Sequence, residues 1–247
     1  MEFYDKSDIG KRRKVNQDLT VTRLNHGNQL LAVVCDGMGG HLAGDLAAKI
    51  VINSIVESFN AVEVFKDVKE AIDWIKNTLT QANNKVFKDS LNNLNHRGMG
   101  TTVVLSLVLK DTILLTHVGD SRAYLMKDNE LKQLTVDHTY VNLLIESGEL
   151  TKEEAKIHPR KNVLMQALGV YDELEIEISK LNDIGDYLLL CTDGLYNGLE
   201  EVDIFDIINR ADLSIKEKVD KLIDLTNQYG GFDNIGIVLI DFNKGGK

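Results

Sequence analysis

Two apolar runs with almost nothing between them constrain this chain most. Thr101 to Leu109 reads TTVVLSLVL and Thr112 to Val118 reads TILLTHV, with only Lys110-Asp111 in between. Parallel strands need a crossover of about a dozen residues or more, so so short a link predicts an antiparallel hairpin. Arg122 to Met126 and Glu130 to Leu134, flanking Asp128-Asn129, predict a second hairpin. Further strands are expected at Asp18 to Leu24, Gln29 to Cys35, Glu173 to Ile178, Tyr187 to Cys191 and Asn234 to Asp241. Helical spacing occurs between these runs. Residues 43–59 place Leu46, Ala47, Ile50 and Val51 on one face. Residues 64–89 align Val64, Val68, Ile72, Ile75, Leu79, Ala82 and Val86. A late pair spans 199–209 and 214–229, the second opening on the capping-box residues Ser214 and Glu217. Strands follow strands and helices are grouped. The chain therefore reads as α+β, with antiparallel sheets covered by helices rather than βαβ units.

A length of 247 residues suits one large domain or two small ones. With a single proline, Pro159, no linker and no internal repeat, residues 1–247 read as one domain. Residues 137–165 break the strand series with a polar stretch carrying short helix signals, the character of a surface insertion that shapes access to a site. Lys+Arg 28 against Asp+Glu 38 gives a net charge of −10, which argues against nucleic acid as a partner. Two cysteines, Cys35 and Cys191, exclude a disulfide framework, and both sit in apolar strands where a thiol is buried and inert. The opening MEFYDKSDIG has no signal-peptide pattern, and no apolar run approaches the roughly 18–20 residues of a membrane span. These features fit a cytoplasmic protein that does not engage a membrane.

A chemical pattern recurs at the strand ends. LAVVC meets Asp36-Gly37, ILLTHV meets Gly119-Asp120, YLLLCT meets Asp193-Gly194, and the last strand opens at Asp233-Asn234. In antiparallel sheets the end of one strand lies beside the start of the next, so all four carboxylates can face one edge. Such clustering is costly without cations. Oxygen-only ligands favour Mg²⁺ or Mn²⁺ over Zn²⁺, and Gly37 would let its carbonyl come close to an ion. The competing reading is that Asp-Gly is ordinary turn chemistry. Other signatures are incomplete. Gly37-Met38-Gly39-Gly40 lacks the ending of a phosphate-binding P-loop, Leu42 stands where a dinucleotide fingerprint needs its third glycine, and no EF-hand pattern occurs.

The carboxylates lie inside longer strings. Arg13-Lys14-Val15-Asn16-Gln17-Asp18 resembles the Arg-x-x-Asn-Glu-Asp opening of the metal-dependent PPM-type (2C-class) serine/threonine protein phosphatases. Asp36-Gly37-Met38-Gly39-Gly40-His41 resembles the bacterial form of that family's Asp-Gly-x-Gly-Gly element. Gly98-Met99-Gly100-Thr101-Thr102, Val118-Gly119-Asp120-Ser121-Arg122, Leu134-Thr135-Val136-Asp137-His138, Cys191-Thr192-Asp193-Gly194-Leu195 and Gly230-Gly231-Phe232-Asp233-Asn234-Ile235 follow in the family's order, over roughly residues 8–240.

This resemblance implies a four-layer α-β-β-α sandwich, two antiparallel sheets packed face to face with helices outside. It implies a metal centre of two or three Mn²⁺ or Mg²⁺ ions. Asp36 would bridge two ions, the Gly37 carbonyl would bind one, and Asp193 and Asp233 would complete the first ion's protein ligands. Asp18 would act through metal-bound water, and Asp120 with Asp193 resembles a third-ion site. Arg13 would hold the substrate phosphate, since a guanidinium fork suits two phosphate oxygens. Residues 137–165 match the family's flap. The implied reaction is hydrolysis of phosphoserine and phosphothreonine in proteins by an activated water bridging the ions, with no phosphoenzyme. His41 is the nearest candidate acid for the leaving oxygen, with a structural hydrogen bond at a helix start as its other reading. The implied partners are phosphorylated proteins, among them a cognate serine/threonine kinase and its targets, and the chain is expected to be a monomer. Three positions depart from the pattern. Gln17 replaces the usual Glu, Phe232 stands where a polar residue is common, and Gly236 stands where Thr or Ser is common and would loosen the last strand. Two alternatives are a catalytically silent module that binds a kinase or phosphoprotein, and a hydrolase of another phosphate ester.

Overall fold

A computed structural model describes residues 1–39 and 43–243. His41 lies outside the described residues. One sheet contains β1 (Glu2–Asp8), β7 (Arg122–Lys127), β8 (Glu130–Gln133), β10 (Tyr187–Cys191) and β11 (Ile235–Asp241), in the order β1-β11-β10-β7-β8. The other contains β2 (Asp18–Leu24), β3 (Leu30–Met38), β5 (Val103–Val108), β6 (Ile113–Val118) and β9 (Ser179–Leu181), in the order β2-β3-β5-β6-β9, with the two-residue β4 (Gly100–Thr101) on the end of β3. Every ladder is antiparallel. Helices α1 (Ala43–Asn60) and α2 (Val68–Asn92) cover the second sheet. Helices α5 (Asp193–Tyr196), α6 (Glu201–Ile208) and α7 (Ile215–Gln228) cover the first. Two short helices, α3 (Tyr140–Glu146) and α4 (Lys152–Ile157), lie within 137–165.

The layers follow from the two-residue period of the strands. In β3, Leu31, Val33 and Cys35 face the helices, while Leu30, Ala32 and Val34 face the other sheet. In β11, Ile235, Ile237 and Leu239 join the α5–α7 cluster, while Val238 and Ile240 join the seam between the sheets. Both faces of each central strand are buried, which is why these segments read as continuous apolar runs.

Several boundaries differ from the sequence reading. Strand β1 went unpredicted because EFYDKSD is a polar edge strand, held by its register with β11. Residues 173–178 form no strand; Leu174, Ile176 and Ile178 instead pack as extended chain against the α1–α2 cluster, so their alternation is real but pairs with no ladder. Helix α2 starts at Val68, capped by Asp67 accepting from the Glu70 amide at 2.8 Å, and Val64 is exposed outside it. Strand β3 runs on through Asp36 to Met38, because Gly37 and Met38 pair with Thr101 and Gly100. Gly236 does not break β11: it sits in register with Ser7, and its amide donates to the Thr192 hydroxyl at 2.7 Å. The α7 capping box forms as expected, with Ser214 and Glu217 bonded reciprocally. Among the described residues no helix is long and apolar enough to cross a membrane.

Candidate metal centre

Antiparallel pairing brings the predicted residues to one end of the sandwich. Asp18 opens β2 directly opposite Asp36 near the end of β3. Val103 and Val118 pair at the same end, so Asp120 follows β6 there. Arg122 pairs with Cys191, and Cys191 with Ile237, which places Asp193 and Asp233 at that end of the other sheet. Asp36 is fixed by its backbone. Its amide donates to the Thr102 hydroxyl at 3.0 Å, and its carbonyl accepts from the Thr102 amide at 2.8 Å and the Thr101 hydroxyl at 2.9 Å. The demand for glycine at Gly37 comes from the helix behind it: a Cβ there would lie 2.1 Å from the Gly44 carbonyl oxygen. Glycine thus lets the end of β3 touch the first turn of α1.

The electrostatics are those of crowded anions. Burial raises the Asp36 carboxyl well above the usual carboxylate range, and Asp18, Asp193, Asp120 and Asp233 each push it further. Asp193 is also raised well above that range by burial and then by Asp120, Asp233 and Asp18, with Arg13 opposing. Asp18, 1% exposed, is raised to about 7 by burial, although its Oδ2 accepts from the Thr192 hydroxyl at 2.6 Å. Asp120 is raised to about 6, by burial and then by Asp137. Among the described residues the guanidinium bonded to these carboxylates is that of Arg13, whose Nη2 donates to Asp233 Oδ2 at 2.6 Å. No three His, Cys, Asp or Glu side chains among the described residues already surround a common point as a ligand set. The donor chemistry nonetheless fits hard divalent cations: five carboxylates, no thiolate or imidazole among them, destabilise one another at one sheet end. Both cysteines are fully buried and free, and burial pushes Cys191 up to about 12 and Cys35 higher.

Several residues in or beside the motif strings have structural roles that the sequence left unassigned. Asn234 is a clamp: its Oδ1 accepts from the Gln17 amide at 2.9 Å, and its Nδ2 donates to the Ile9 carbonyl at 2.8 Å and the Val15 carbonyl at 3.1 Å. It thereby holds the loop carrying Arg13 against Asp233. Thr192 joins Asp18 to the Gly236 amide across the two sheets. Arg122 pairs with Asp137 through Nε at 2.9 Å and Nη2 at 2.7 Å, and its guanidinium lies 3.6 Å from the centre of the Tyr196 ring. The Tyr196 hydroxyl then donates to the Asp120 carbonyl at 2.9 Å. A cleft of about 670 Å³ opens beside this chain, lined among others by Asp120, Tyr196, Asn197, Lys152, Lys156 and Lys161. The places of Asn234, Thr192, Arg122 and Tyr196 in or beside the motif strings give no sign of which distant groups they bond. Gln17 also has an unexpected setting: its Nε2 is buried against Gly44 with no hydrogen-bond partner among the described residues.

Comparison with known proteins agrees with this geometry. Residues 10–228 match the family model for protein phosphatase 2C. The serine/threonine phosphatase Stp of Listeria welshimeri is 36% identical over 239 residues, covering 96% of this chain and 94% of that protein. The crystal structure of Stp1 from Staphylococcus aureus superposes with a TM-score of 0.92 at 32% identity, covering 98% of this chain and 94% of that one. The catalytic domain of the phosphatase PstP, solved in complex with two manganese ions, superposes with a TM-score of 0.84 at 29% identity over 97% of each chain. The ordered motifs, the two-sheet sandwich and the matched length place this chain in the protein phosphatase 2C family.

Proposed function

We propose that this protein hydrolyses phosphoserine and phosphothreonine in phosphorylated proteins, with Mn²⁺ or Mg²⁺ held at the carboxylate end of the sandwich. The observation that carries this reading is the convergence of Asp18, Asp36, Asp120, Asp193 and Asp233 beside one guanidinium, Arg13. Asp36, Asp193 and Asp233, with the Gly37 carbonyl, would hold two ions; Asp120 with Asp193 would hold a third, and Asp18 would orient water. When bound, the ions acidify a water and neutralise charge on the phosphoryl oxygens. Arg13 binds the phosphate and orients it, offsetting repulsion between the dianion and the attacking oxygen. The same guanidinium donates to Asp233, and Asn234 holds the loop that carries it. Residues 137–165 would act as a flap over the 670 Å³ cleft. A serine/threonine kinase and its targets are the expected substrates in the cell, with 1–247 acting as one catalytic domain.

The test is phosphate release from a phosphothreonine peptide, scanned across Mn²⁺ and Mg²⁺ with a chelator control. Release requires metal and falls about 10²-fold or more in Asp193→Ala, the loss expected when a ligand to a catalytic ion is removed. Metal-independent release, or equal release by the variant, refutes the reading.

A further inference from the structure

Four cations in a row, Lys11, Arg12, Arg13 and Lys14, occupy the loop between β1 and β2, in a chain whose net charge is −10. All four are exposed. Arg13 is engaged with Asp233, but no carboxylate lies within salt-bridge distance of Lys11, Arg12 or Lys14 among the described residues. The loop does not hang free. The amides of Lys11 and Arg12 both donate to the Gly231 carbonyl, at 2.8 and 3.1 Å, and Gly10 packs so closely that a Cβ there would lie 2.1 Å from the Asp233 carbonyl oxygen. Next to Asp233, Phe232 is 68% exposed, and the Arg12 guanidinium sits over its ring at 5.8 Å. A large aromatic left in solvent under an unpaired guanidinium, on a loop stitched to the site, has the composition of a binding hot spot.

We propose that Lys11, Arg12 and Lys14, with Phe232, form a docking strip for acidic residues flanking the phosphorylated residue of a substrate protein. The proposal rests on the phosphatase reading for its location, since a phosphate held by Arg13 places the neighbouring substrate residues over this strip. Charge complementarity names the occupant: the cations have no carboxylate partner among the described residues, and carboxylates or a second phosphate would pair with them. The strip is only four residues long on an otherwise anionic molecule, which suits a short acidic peptide flank rather than an extended polyanion.

The test uses the Mn²⁺-loaded full chain and three peptides of equal length, with acidic, neutral or basic flanks around the same residue. Each is made once as phosphothreonine, for kcat/KM relative to p-nitrophenyl phosphate, and once as a non-hydrolysable phosphonate, for binding by fluorescence anisotropy. Exposed charge pairs predict roughly a three- to tenfold preference for the acidic peptide in both readouts, shrinking as salt is raised. Arg12→Glu abolishes or inverts that preference and Phe232→Ala weakens it, whereas Lys76→Glu, at an exposed position on α2, leaves it in place. Equal affinity for all three peptides, a preference that survives Arg12→Glu, or one that is lost in Lys76→Glu instead overturns the proposal. Intact binding preference without hydrolysis of any phosphopeptide would refute the catalytic reading and leave the strip standing.

Discussion

Gln17 is the site residue whose charge departs from the family pattern. Its Nε2 is buried with no partner among the described residues, and its backbone joins both Gly37 and Asn234. An unsatisfied buried donor costs about 1–3 kcal/mol. Gln17→Glu removes that donor and adds a negative charge one residue before Asp18, whose carboxylate already repels Asp36. The variant is therefore expected to melt lower than the parent in chelator and to need less Mn²⁺ for half-maximal activity. Thermal melts with and without metal, alongside a Mn²⁺ activation curve, check both halves; a variant that melts higher in chelator with unchanged Mn²⁺ demand contradicts the account. At this scale the sequence was informative about charge and silent about partners. Asp36, Asp120, Asp193 and Asp233 stand out because each interrupts a buried run. Thr192 and Asn234 carry no comparable mark, since the groups they bond are 174 and 217 residues away along the chain.

Elements determine how the site is held. Helix α5 is a single turn that begins with Asp193 and ends with Tyr196, so its first residue faces the carboxylates while its last anchors the Asp120 loop. Through Arg122 and Asp137 the same turn connects to the start of residues 137–165, where the Asn142 side chain donates to the Asp137 carbonyl at 2.8 Å. Tyr196→Phe removes one hydroxyl and keeps the ring under Arg122. The expected result is a loss of about 1 kcal/mol in stability and a severalfold weaker response to Mn²⁺, with the fold intact by circular dichroism. An unchanged Mn²⁺ response would show that Asp120 needs no such anchor. Element identity was legible wherever hydrophobic period and turn chemistry agreed. Asp128 and Asn129 both adopt positive φ, at 51° and 61°, as the tight hairpin requires. Legibility failed at β1, whose polar edge sequence is specified by its neighbour, and at 173–178, whose alternating residues cover helices instead of joining a sheet.

For the whole molecule, stability and metal binding are linked through protons. Asp18 at about 7, Asp120 at about 6, and Asp36 and Asp193, both raised well above the usual range, all lie above the unfolded carboxylate value of 3.8. Raised folded values mean that the folded chain holds more protons than the unfolded one. The stability these groups contribute is complete below about pH 4 and is lost as pH rises through their folded values. Divalent ions replace those protons, so the rise in melting temperature produced by Mn²⁺ should grow from pH 5 to pH 8. One site filled at a hundred times its Kd contributes about 2.7 kcal/mol, roughly 5–10 °C for a chain of this size. A Mn²⁺ stabilisation that is flat or shrinks with pH would contradict this linkage. The central claim is that the crowded carboxylates are a divalent-cation site, and the most direct measurement is a calorimetric Mn²⁺ titration of the purified chain with Asp36→Asn beside it. The account predicts at least two ions bound per chain, with proton release, and loss of at least one in the variant together with a higher melting temperature in chelator. Fewer than one ion per chain, or an identical isotherm for Asp36→Asn, would contradict it.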